Sequence, residues 1–536
     1  MITKNTNRMI DGAAVNVLDF GAVGDGVTDD TVAIQAALDS GAGKNVTFES
    51  GKTYKYSILT IGENTTVQTF GSVFSRLSAS TSHSVIINSG VTIDALTIIT
   101  QGGATGDRSV LILGNDVSIG GLSITADAEG VYNSVNYAVE IESSPAGTKL
   151  SNISVGNFYC KNFSTAFFIK NASFVDIKNG LVEYYRTAFY LKDVAESTFE
   201  NVTCQYLGNA VNGTPGENGL LLESSLASDS THNLVFKQWS VLNAGEHSFR
   251  LGGQLSICDI WFEDCVSEKS GSSILSGNLT SGEWHGGCGF KVLGGNTTVT
   301  EFHRNIHFSR CGVIDCNTTY GSYPAGHGVN NFTPWLIVMA KNVHLDNCWT
   351  SKKDQSNVSR YGILATASDG VYLNSCSFRD IDLVPIRPYE ETPVVGYDGS
   401  NLPLLNFNVV GGVFEATTAI AGNGIGLYVE QNALYNHKNW ILSGVTLMGG
   451  ALAARFETAG VGSYENIHLN FTYMDSNVTE ATHTTPVVSG AAYALLSATA
   501  PYRPSASSPS SLNGSTWQDT LGGEFKAKKA GAWTTL

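Results

Sequence analysis

The chain has 536 residues, a formal net charge of −16, 58 glycines and only 15% charged residues. Ordinary globular domains are about 25% charged, and abundant glycine with aromatic and β-branched residues suits short strands joined by tight turns. The acidic balance argues against a nucleic-acid partner, although a local basic groove remains compatible with an acidic polymer.

The N-terminal segment MITKNTNRMIDGAAVNVLDF lacks the apolar core of a secretory signal. No apolar run approaches the roughly 18 residues that a membrane span needs. The nine cysteines are odd in number and form no CxxC pair, which argues against a disulfide framework and a structural zinc site. We therefore expect a protein made in a reducing cytoplasm, with no membrane partner, no metal and no cofactor.

One convincing helix is predicted over residues 28–40, TDDTVAIQAALDS. Thr28 is the expected N-cap, with Asp29 and Asp30 in the first turn, where the helix dipole favours acids. Its predicted apolar face consists of Ala33, Ile34, Ala37 and Leu38. A solenoid exposes its core at each end, so we expect this helix to cap the N-terminal end.

Two patterns then alternate along the chain. The first is apolar-x-apolar, two polar or small residues, then an apolar residue, as at 260–265, 306–311, 343–348 and 371–376. The second is a small residue followed by apolar-x-apolar, as at 166–169, 188–191, 219–222, 248–251 and 289–292. Two short period-2 strands per repeat indicate a solenoid whose stacked strands share one core.

Four cysteines fall at one position of the first pattern: Cys265, Cys311, Cys348 and Cys376. A metal or redox ladder is one interpretation. We favour a stack of small apolar side chains inside the coil, because buried free cysteine behaves as a small hydrophobe.

Alignment of the second pattern predicts a ladder of outward-facing side chains. Its members are Glu140, Phe168, Tyr190, Leu221, Arg250, Lys291, Asn330, Leu364, Arg387, Tyr428 and Arg455. Stacked strands lie about 4.8 Å apart, and adjacent like charges are unfavourable. Arg250 beside Lys291 is therefore best explained by an anion, such as a uronate, lying across both.

Titratable groups cluster around the same repeats. Glu246 and His247 precede Arg250, and Glu283, Trp284 and His285 precede Lys291. His303 and Arg304 follow, and His327 opens the next predicted repeat. Such a concentration in a chain poor in charge predicts an active site.

Two mechanisms fit these residues. In β-elimination, Arg250 and Lys291 neutralise a uronate carboxylate, and His247 or His327 is the base. In hydrolysis, Glu246 and Glu283 flank the bond, with Asp264 and Asp315 behind them. The basic pair slightly favours elimination.

Candidate substrate-binding residues surround this group: Trp284, His285, His303, Arg304, Asn330, Arg387 and Tyr389. Aromatic residues on long loops, among them Trp284, Tyr320, Tyr323, Trp335 and Tyr389, are candidates for stacking on sugar rings. Packing between loop and coil is the competing interpretation.

The C-terminal region changes composition. Residues 500–511, APYRPSASSPSS, read as a linker, and the segments around Trp517 and Trp533 as a small β-module. We expect a separate N-terminal peptide at 1–14, an N-terminal cap at 15–50, a β-helix at 51–477, and linker and module at 478–536.

The segment VNVLDFGAVGDGVTDD at 15–30, followed by the helix, resembles the opening of the pectate-lyase-like superfamily, and the repeats extend the resemblance to residue 475. Within that superfamily, the missing signal and the C-terminal tail resemble bacteriophage tailspikes. The resemblance implies an all-β, right-handed, single-stranded parallel β-helix with a short N-terminal helix and a small C-terminal β-module.

The resemblance also implies a homotrimer in the virion tail that binds or depolymerises a bacterial surface polysaccharide, namely capsule, exopolysaccharide or O-antigen. The short segment before residue 15 implies attachment through another phage tail protein. The fold does not determine the reaction, because it hosts lyases, hydrolases and non-enzymes. A non-catalytic receptor-binding fibre and a bacterial or plant cell-wall enzyme remain open.

Overall fold

The computed structural model describes the chain from residue 14 to residue 535 with gaps. The gaps are 79–81, 101–107, 128–135, 144–147, 207–217, 254, 272–286, 296–300, 317–332, 354–358, 389–403, 418–424, 430–435, 450–451, 457–462, 475–481, 484–496, 500–503, 506–515, 520–524 and 530–531. Among the described residues, no helix is both long and apolar enough to cross a membrane.

The described chain is almost entirely extended, as the repeats predict. It contains a 3₁₀ turn at Val17–Phe20 and one α-helix, α1, at Thr31–Ser40. The strands are β1 Val15–Asn16, β2 Asp25–Asp29, β3 Asn45–Thr47, β4 Thr53–Tyr56, β5 Leu59–Ile61, β6 Thr66–Gln68, β7 Val73–Arg76, β8 His83–Ile87, β9 Thr92–Ile93, β10 Leu96–Thr100, β11 Arg108–Ile112, β12 Val117–Ile119, β13 Leu122–Ala126, β14 Tyr137–Ile141, β15 Leu150–Gln205, β16 Asn218–Glu223, β17 Thr231–Leu242, β18 His247–Leu251, β19 Ile257–Glu263, β20 Val266–Glu268, β21 Phe290–Leu293, β22 His303–Ser309, β23 Gly312–Ile314, β24 Trp335–Val338, β25 Ala340–Asp346, β26 Trp349–Ser351, β27 Ser359–Thr366, β28 Asp369–Asn374, β29 Ser377–Pro388, β30 Leu405–Val410, β31 Val413–Ala416, β32 Ile425–Val429, β33 Asn436–Gly449, β34 Leu452–Phe456, β35 Ser463–Met474, β36 Thr482–His483, β37 Ser497–Thr499, β38 Pro504–Ser505, β39 Thr516–Asp519, β40 Phe525–Lys529 and β41 Ala532–Thr535.

The helix begins three residues later than the sequence predicts. Asp30, not Thr28, is its N-cap residue, and Thr28 lies in β2. The Asp30 carboxylate accepts hydrogen bonds from the N–H groups of Val23 (2.7 Å) and Gly24 (3.0 Å), so it fastens the preceding turn instead of capping the helix. Ile34, Ala37 and Leu38 are buried as predicted.

The chain divides into two compact units, residues 1–222 with 230–244, and residues 223–229 with 245–536. In the first unit, the strands form three parallel stacks, since each strand pairs with the corresponding strand one coil further on. The stacks run through β1, β3, β6, β9 and β12, through β2, β4, β7, β10 and β13, and through β5, β8, β11 and β14, and all three continue into β15.

The second unit also has three parallel stacks. The first stack contains β18, β21, β24, β27, β29, β32, β34 and β36. The second stack contains β19, β22, β25, β28, β30, β33, β35 and β37, and the third begins with β20, β23, β26, β29 and β31. Three parallel stacks of single coils are the architecture of a parallel β-helix, which confirms the predicted fold class.

The core of the second unit consists of columns of like side chains. Phe249, Phe290 and Trp335 stack face to face inside the first stack, with ring centroids 4.6 and 4.3 Å apart. Trp335 is therefore a core residue, and the hypothesis that it stacks on sugar from a loop is wrong. Cys311 lies against Cys265 and Cys348, and all four cysteines of the predicted column are fully buried, so the interior stack is confirmed.

The corners of the coil carry asparagine and aspartate in the left-handed region, which these residues tolerate better than other non-glycine residues. In the second unit, Asp259, Asn305 and Asn342 have φ values of 56°, 54° and 56°. Asn305 donates to Asp259 and Asn342 donates to Asn305, each at 2.8 Å. Hydrogen bonds between the corner residues of successive coils thus stabilise these turns.

The C-terminal residues form a separate small sheet in which β39, β40 and β41 are antiparallel, as expected of the predicted module. β38, which falls within the predicted linker, pairs in parallel with β39. Part of that segment is therefore strand.

Candidate active site

Arg250 and Lys291 are direct neighbours in the first stack. β18 pairs with β21 so that Phe249 faces Phe290, Arg250 faces Lys291 and Leu251 faces Val292. Because the apolar members point inward, the two cations lie together on the outer face. The predicted adjacency is confirmed.

Arg250 is the most exposed member of this group. About a third (32%) of its side chain is exposed, and Nη1 lies 3.8 Å from Oε2 of Glu246, whose side chain is only 5% exposed. The buried Nε makes no hydrogen bond to any described residue. A Cβ on Gly252 would lie 3.3 Å from this Nε, so glycine at that position leaves room for the guanidinium.

Lys291 is nearly buried, with 8% exposure. Its Nζ lies 3.1 Å from Nε2 of His247. Burial, followed by the positive charge of Arg250, lowers the pKa of Lys291 from 10.5 to about 8. This lysine therefore supplies an appreciable fraction of uncharged amine near neutral pH.

His247 lies behind Lys291 and is 1% exposed. Its Nδ1 accepts a hydrogen bond of 3.0 Å from the backbone N–H of Cys288. Ser248, the next residue, is also buried and its hydroxyl accepts from Ser267 at 2.7 Å. His247 is thus held by the segment that precedes β21, and it is more buried than the Arg250 side chain.

On its other side Lys291 faces Leu336, which is followed in register by Leu364 and Arg387. The sequence predicts that the next repeat begins at His327 and places Asn330 beside Lys291. This is wrong, because the strand that pairs with β21 is β24, and Leu336 is the residue opposite Lys291. Leu336 belongs to a buried apolar cluster with Cys288, Leu293, Val338, Met339 and Leu364. This apolar wall explains the strong desolvation of the neighbouring lysine.

His303 and Arg304 lie in the second stack, on β22, and not beside Lys291. His303 is fully buried and accepts a 3.2 Å hydrogen bond from the N–H of Ile257, and burial lowers its pKa to about 4. Its side chain therefore does not reach the outer surface, and we leave it out of the proposed site. Arg304 is about half exposed and is paired with Asp229.

The remaining predicted site residues lie wholly or partly outside the described residues: Glu283, Trp284, His285, His327, Asn330 and Tyr389. Only the backbone of Arg387 is described, in β29, where it continues the ladder after Leu364. Asp264 and Asp315 are the second pair of candidate acids for hydrolysis. Asp264 is half-exposed and forms an ion pair with Arg310, whereas the Asp315 carboxylate is buried and accepts a 2.7 Å hydrogen bond from the N–H of Lys353.

Sequence reasoning missed an outward column on the second stack. Trp261, His307, His344 and Tyr372 stack in order, with centroid separations of 5.7, 4.8 and 4.6 Å. Each occupies the middle position of apolar-x-apolar in the first pattern. Aligning that position would have revealed the column.

A second cluster was missed in the first unit. Oε2 of Glu140, a ladder residue, lies 2.7 Å from Nε2 of His83 and 3.1 Å from Nη1 of Arg108, and its side chain is 7% exposed. The Arg108 guanidinium also lies 5.2 Å from the ring centroid of Tyr137. Among the described residues, no group of three or more His, Cys, Asp and Glu side chains is arranged to hold a metal ion.

A family model described as rhamnogalacturonase A/epimerase, pectate lyase-like, matches residues 14–212. No curated protein matches the chain. Among solved structures, the pre-mature bacteriophage phi29 gene product 12 superposes with a TM-score of 0.51 at 12% identity, covering 92% of this chain and 60% of that one. The chain has a parallel β-helix fold, and the similarity to the pectate-lyase-like family model extends over residues 14–212.

Other solved structures superpose with lower TM-scores. The A-module of mannuronan C-5 epimerase AlgE6 from Azotobacter vinelandii has a TM-score of 0.39 at 17% identity, covering 88% of this chain and all of that one. The family 28 exopolygalacturonase of Yersinia enterocolitica has a TM-score of 0.41 at 12% identity, covering 85% and 78%. With TM-scores below 0.5, neither similarity identifies a reaction.

Proposed function

We propose that this protein is a phage tailspike that depolymerises an acidic bacterial surface polysaccharide by β-elimination at the Arg250–Lys291 site. The observation that carries the proposal is the pairing of Arg250 and Lys291 in register on one outer face, with the arginine partly exposed and the lysine desolvated. Lys291 supplies a desolvated amine, and Arg250 beside it supplies a positive charge for an anion to compensate. A uronate carboxylate has the charge and size to do so.

Arg250 and Lys291 have different roles in the reaction because their side chains differ in exposure. The exposed edge of Arg250 binds the sugar carboxylate and acidifies the proton on the adjacent carbon, because a guanidinium matches a carboxylate in geometry. Lys291, with its pKa near 8, accepts that proton. Since His247 lies deeper than Lys291, we assign the base role to Lys291 and not to His247.

The elimination is balanced as follows. The α-carbon proton passes to Nζ of Lys291, and the C–H electron pair becomes the new carbon–carbon double bond. The glycosidic bond at the β-carbon breaks with its electron pair on oxygen, which takes a proton from water, and Lys291 later returns its proton to solvent. Each cleavage thus leaves one unsaturated sugar and one new reducing end.

The test is to incubate the full chain with a panel of purified bacterial capsules, measuring reducing ends and the ultraviolet absorbance of unsaturated sugar. We expect both signals to rise together on at least one uronate-containing capsule. Arg250→Ala should lower the rate roughly 100-fold through loss of positioning. The matched control is Arg310→Ala, an exposed arginine elsewhere in the same unit, which should keep the wild-type rate.

Other outcomes would contradict the proposal in identifiable ways. Reducing ends without unsaturation would mean hydrolysis, with Glu246 and Glu283 as the first carboxylates to substitute. Binding without either product would mean a non-catalytic receptor-binding fibre. Equal rates for Arg250→Ala and the control would place the active site elsewhere.

The tail context belongs to the same proposal. The sequence resemblance to tailspikes implies a virion location, a homotrimer and attachment to another tail protein through residues 1–14, and a bacteriophage phi29 protein shares the fold. A trimer that resists SDS would favour this over a bacterial or plant cell-wall enzyme. Replacement of residues 1–12 should leave the isolated protein active but prevent its incorporation into particles.

A further inference from the structure

The hydrogen bonds of His247 determine which of its ring nitrogens carries hydrogen. The backbone N–H of Cys288 donates to Nδ1 at 3.0 Å. A backbone N–H is always a donor, so Nδ1 presents a lone pair and bears no hydrogen. In the neutral ring the hydrogen is then on Nε2, and a doubly protonated ring would direct Nδ1–H against the Cys288 N–H.

This tautomer constrains Lys291. Nε2 of His247 lies 3.1 Å from the lysine Nζ. Since Nε2–H is a donor, Nζ must accept, and an ammonium has no lone pair with which to do so. The geometry is consistent only with an uncharged Lys291 amine while this hydrogen bond is formed.

The surroundings of Lys291 oppose the ammonium form as well. Arg250 faces it from β18 with a positive charge, and Leu336 faces it from β24 with an apolar side chain. Cys288 and Glu246 are the other titratable groups that act on it among the described residues. The Glu246 carboxylate is near Arg250, with 3.8 Å between Oε2 and Nη1, so the negative charge lies beside the arginine.

We propose that His247 is a positioning residue whose Nε2–H hydrogen bond favours the uncharged amine of Lys291 over its ammonium form and holds that amine on the outer face. This role rests on the proposed function for its purpose, because a neutral amine is what accepts the α-carbon proton. When Lys291 takes that proton, its lone pair is lost and the ammonium must leave His247. It is then free to turn towards the carboxylate held by Arg250.

The proposal can be tested without an enzymatic assay. Only free amines react with acetic anhydride, so competitive acetylation at a series of pH values, read by peptide mass spectrometry, gives the titration midpoint of each lysine in the intact chain. Lys291 of the wild type should titrate near 8. Exposed Lys341 provides an internal reference in the same sample.

His247→Leu removes the N–H donor while keeping an apolar side chain of similar size. We expect its Lys291 midpoint to rise by about one unit or more, with the Lys341 midpoint unchanged. His247→Gln, whose amide N–H can replace Nε2–H, should stay near the wild-type midpoint, and it serves as the readout if leucine prevents folding. The matched control, His344→Gln, changes a half-buried histidine of the second stack and should leave Lys291 unaffected.

An unchanged Lys291 midpoint in His247→Leu, or a shift in His247→Gln as large as that in His247→Leu, would overturn the proposal. A wild-type Lys291 that titrates like Lys341 would overturn it too. If the midpoint responds to His247 while every capsule remains uncleaved, the proposed lyase function fails and the positioning role stands. Where capsule is cleaved, the acid limb of kcat/KM should move with the Lys291 midpoint.

Discussion

Replacing Lys291 by methionine should make the protein more stable at neutral pH. Methionine has a similar length and no charge, so it fits beside Leu336 without the cost of burying an ammonium. The fall in the pKa of Lys291 from 10.5 to about 8 corresponds to about 3 kcal/mol between the protonated forms in the folded and unfolded chain. This free-energy cost of protonating Lys291 comes from its burial and from the positive charge of Arg250.

The sign of the pH dependence follows from the same shift. Below pH 8 the folded protein must hold Lys291 as an ammonium, so the cost is fully present. Between about pH 8 and 10.5 the unfolded chain binds more protons than the folded one, and wild-type stability therefore rises relative to the variant. The gain of Lys291→Met should be largest at pH 7 and should disappear towards pH 10.5.

Urea denaturation followed by tryptophan fluorescence at pH 7, 8.5 and 10 measures this difference, provided the denaturant slope is the same for both proteins. The control is Lys341→Met, which changes an exposed lysine of the same unit and should show no such pH dependence. If Lys291→Met is less stable than the wild type at pH 7, or if the difference does not change with pH, the desolvation argument is refuted.

Four further predictions test other parts of the molecule. On a cleaved capsule, kcat/KM should rise about tenfold per pH unit below pH 8 and then level off, and Lys291→Met should lose roughly 100-fold or more; a profile flat from pH 5 to 8 would exclude Lys291 as the base. Cys311→Ala should lower the free energy of unfolding by about 1 kcal/mol through a small cavity, with unchanged turnover per folded molecule; a loss of turnover would give this thiol a role in the reaction. Glu140→Ala should lower the free energy of unfolding by about 3 kcal/mol, because the Arg108 guanidinium and the His83 ring lose their shared carboxylate, whereas a change within the error of chemical denaturation would show that the cluster is solvated. Burial lowers the pKa of both His307 and His344, so stability should be complete above pH 6.5 and fall as the pH drops below it; denaturation of His344→Phe should show a weaker dependence, and an equal one would exclude the histidine stack as its cause.

The fold could be predicted from sequence because each coil repeats the same local chemistry. The apolar-x-apolar triplets determine which side chains point inward, so Phe249 and Phe290 fall in register and bring Arg250 beside Lys291. The prediction failed where an insertion separates two coils. His327 to Asn330 fits the small-residue pattern, but the strand that pairs with β21 begins at Trp335, after threonine and proline.

The site was only partly predictable. Adjacency of two side chains follows from strand register, but the burial of His247 and His303 depends on residues distant in the sequence. The role of His247 depends on the N–H of Cys288, 41 residues away. Thr28 was misassigned for a related reason, since the competing bonds of Asp30 to Val23 and Gly24 come from a preceding turn.

The corner residues have an evolutionary consequence. Because Asp259, Asn305 and Asn342 are joined to one another from one coil to the next, these corners of the β-helix are specified by local contacts. A whole coil can be duplicated or deleted between matching corners without altering the geometry of distant coils. Selection can therefore lengthen the molecule in steps of one coil, or exchange the loops that leave it, while the Arg250–Lys291 contact, which needs only its own two strands, is inherited intact.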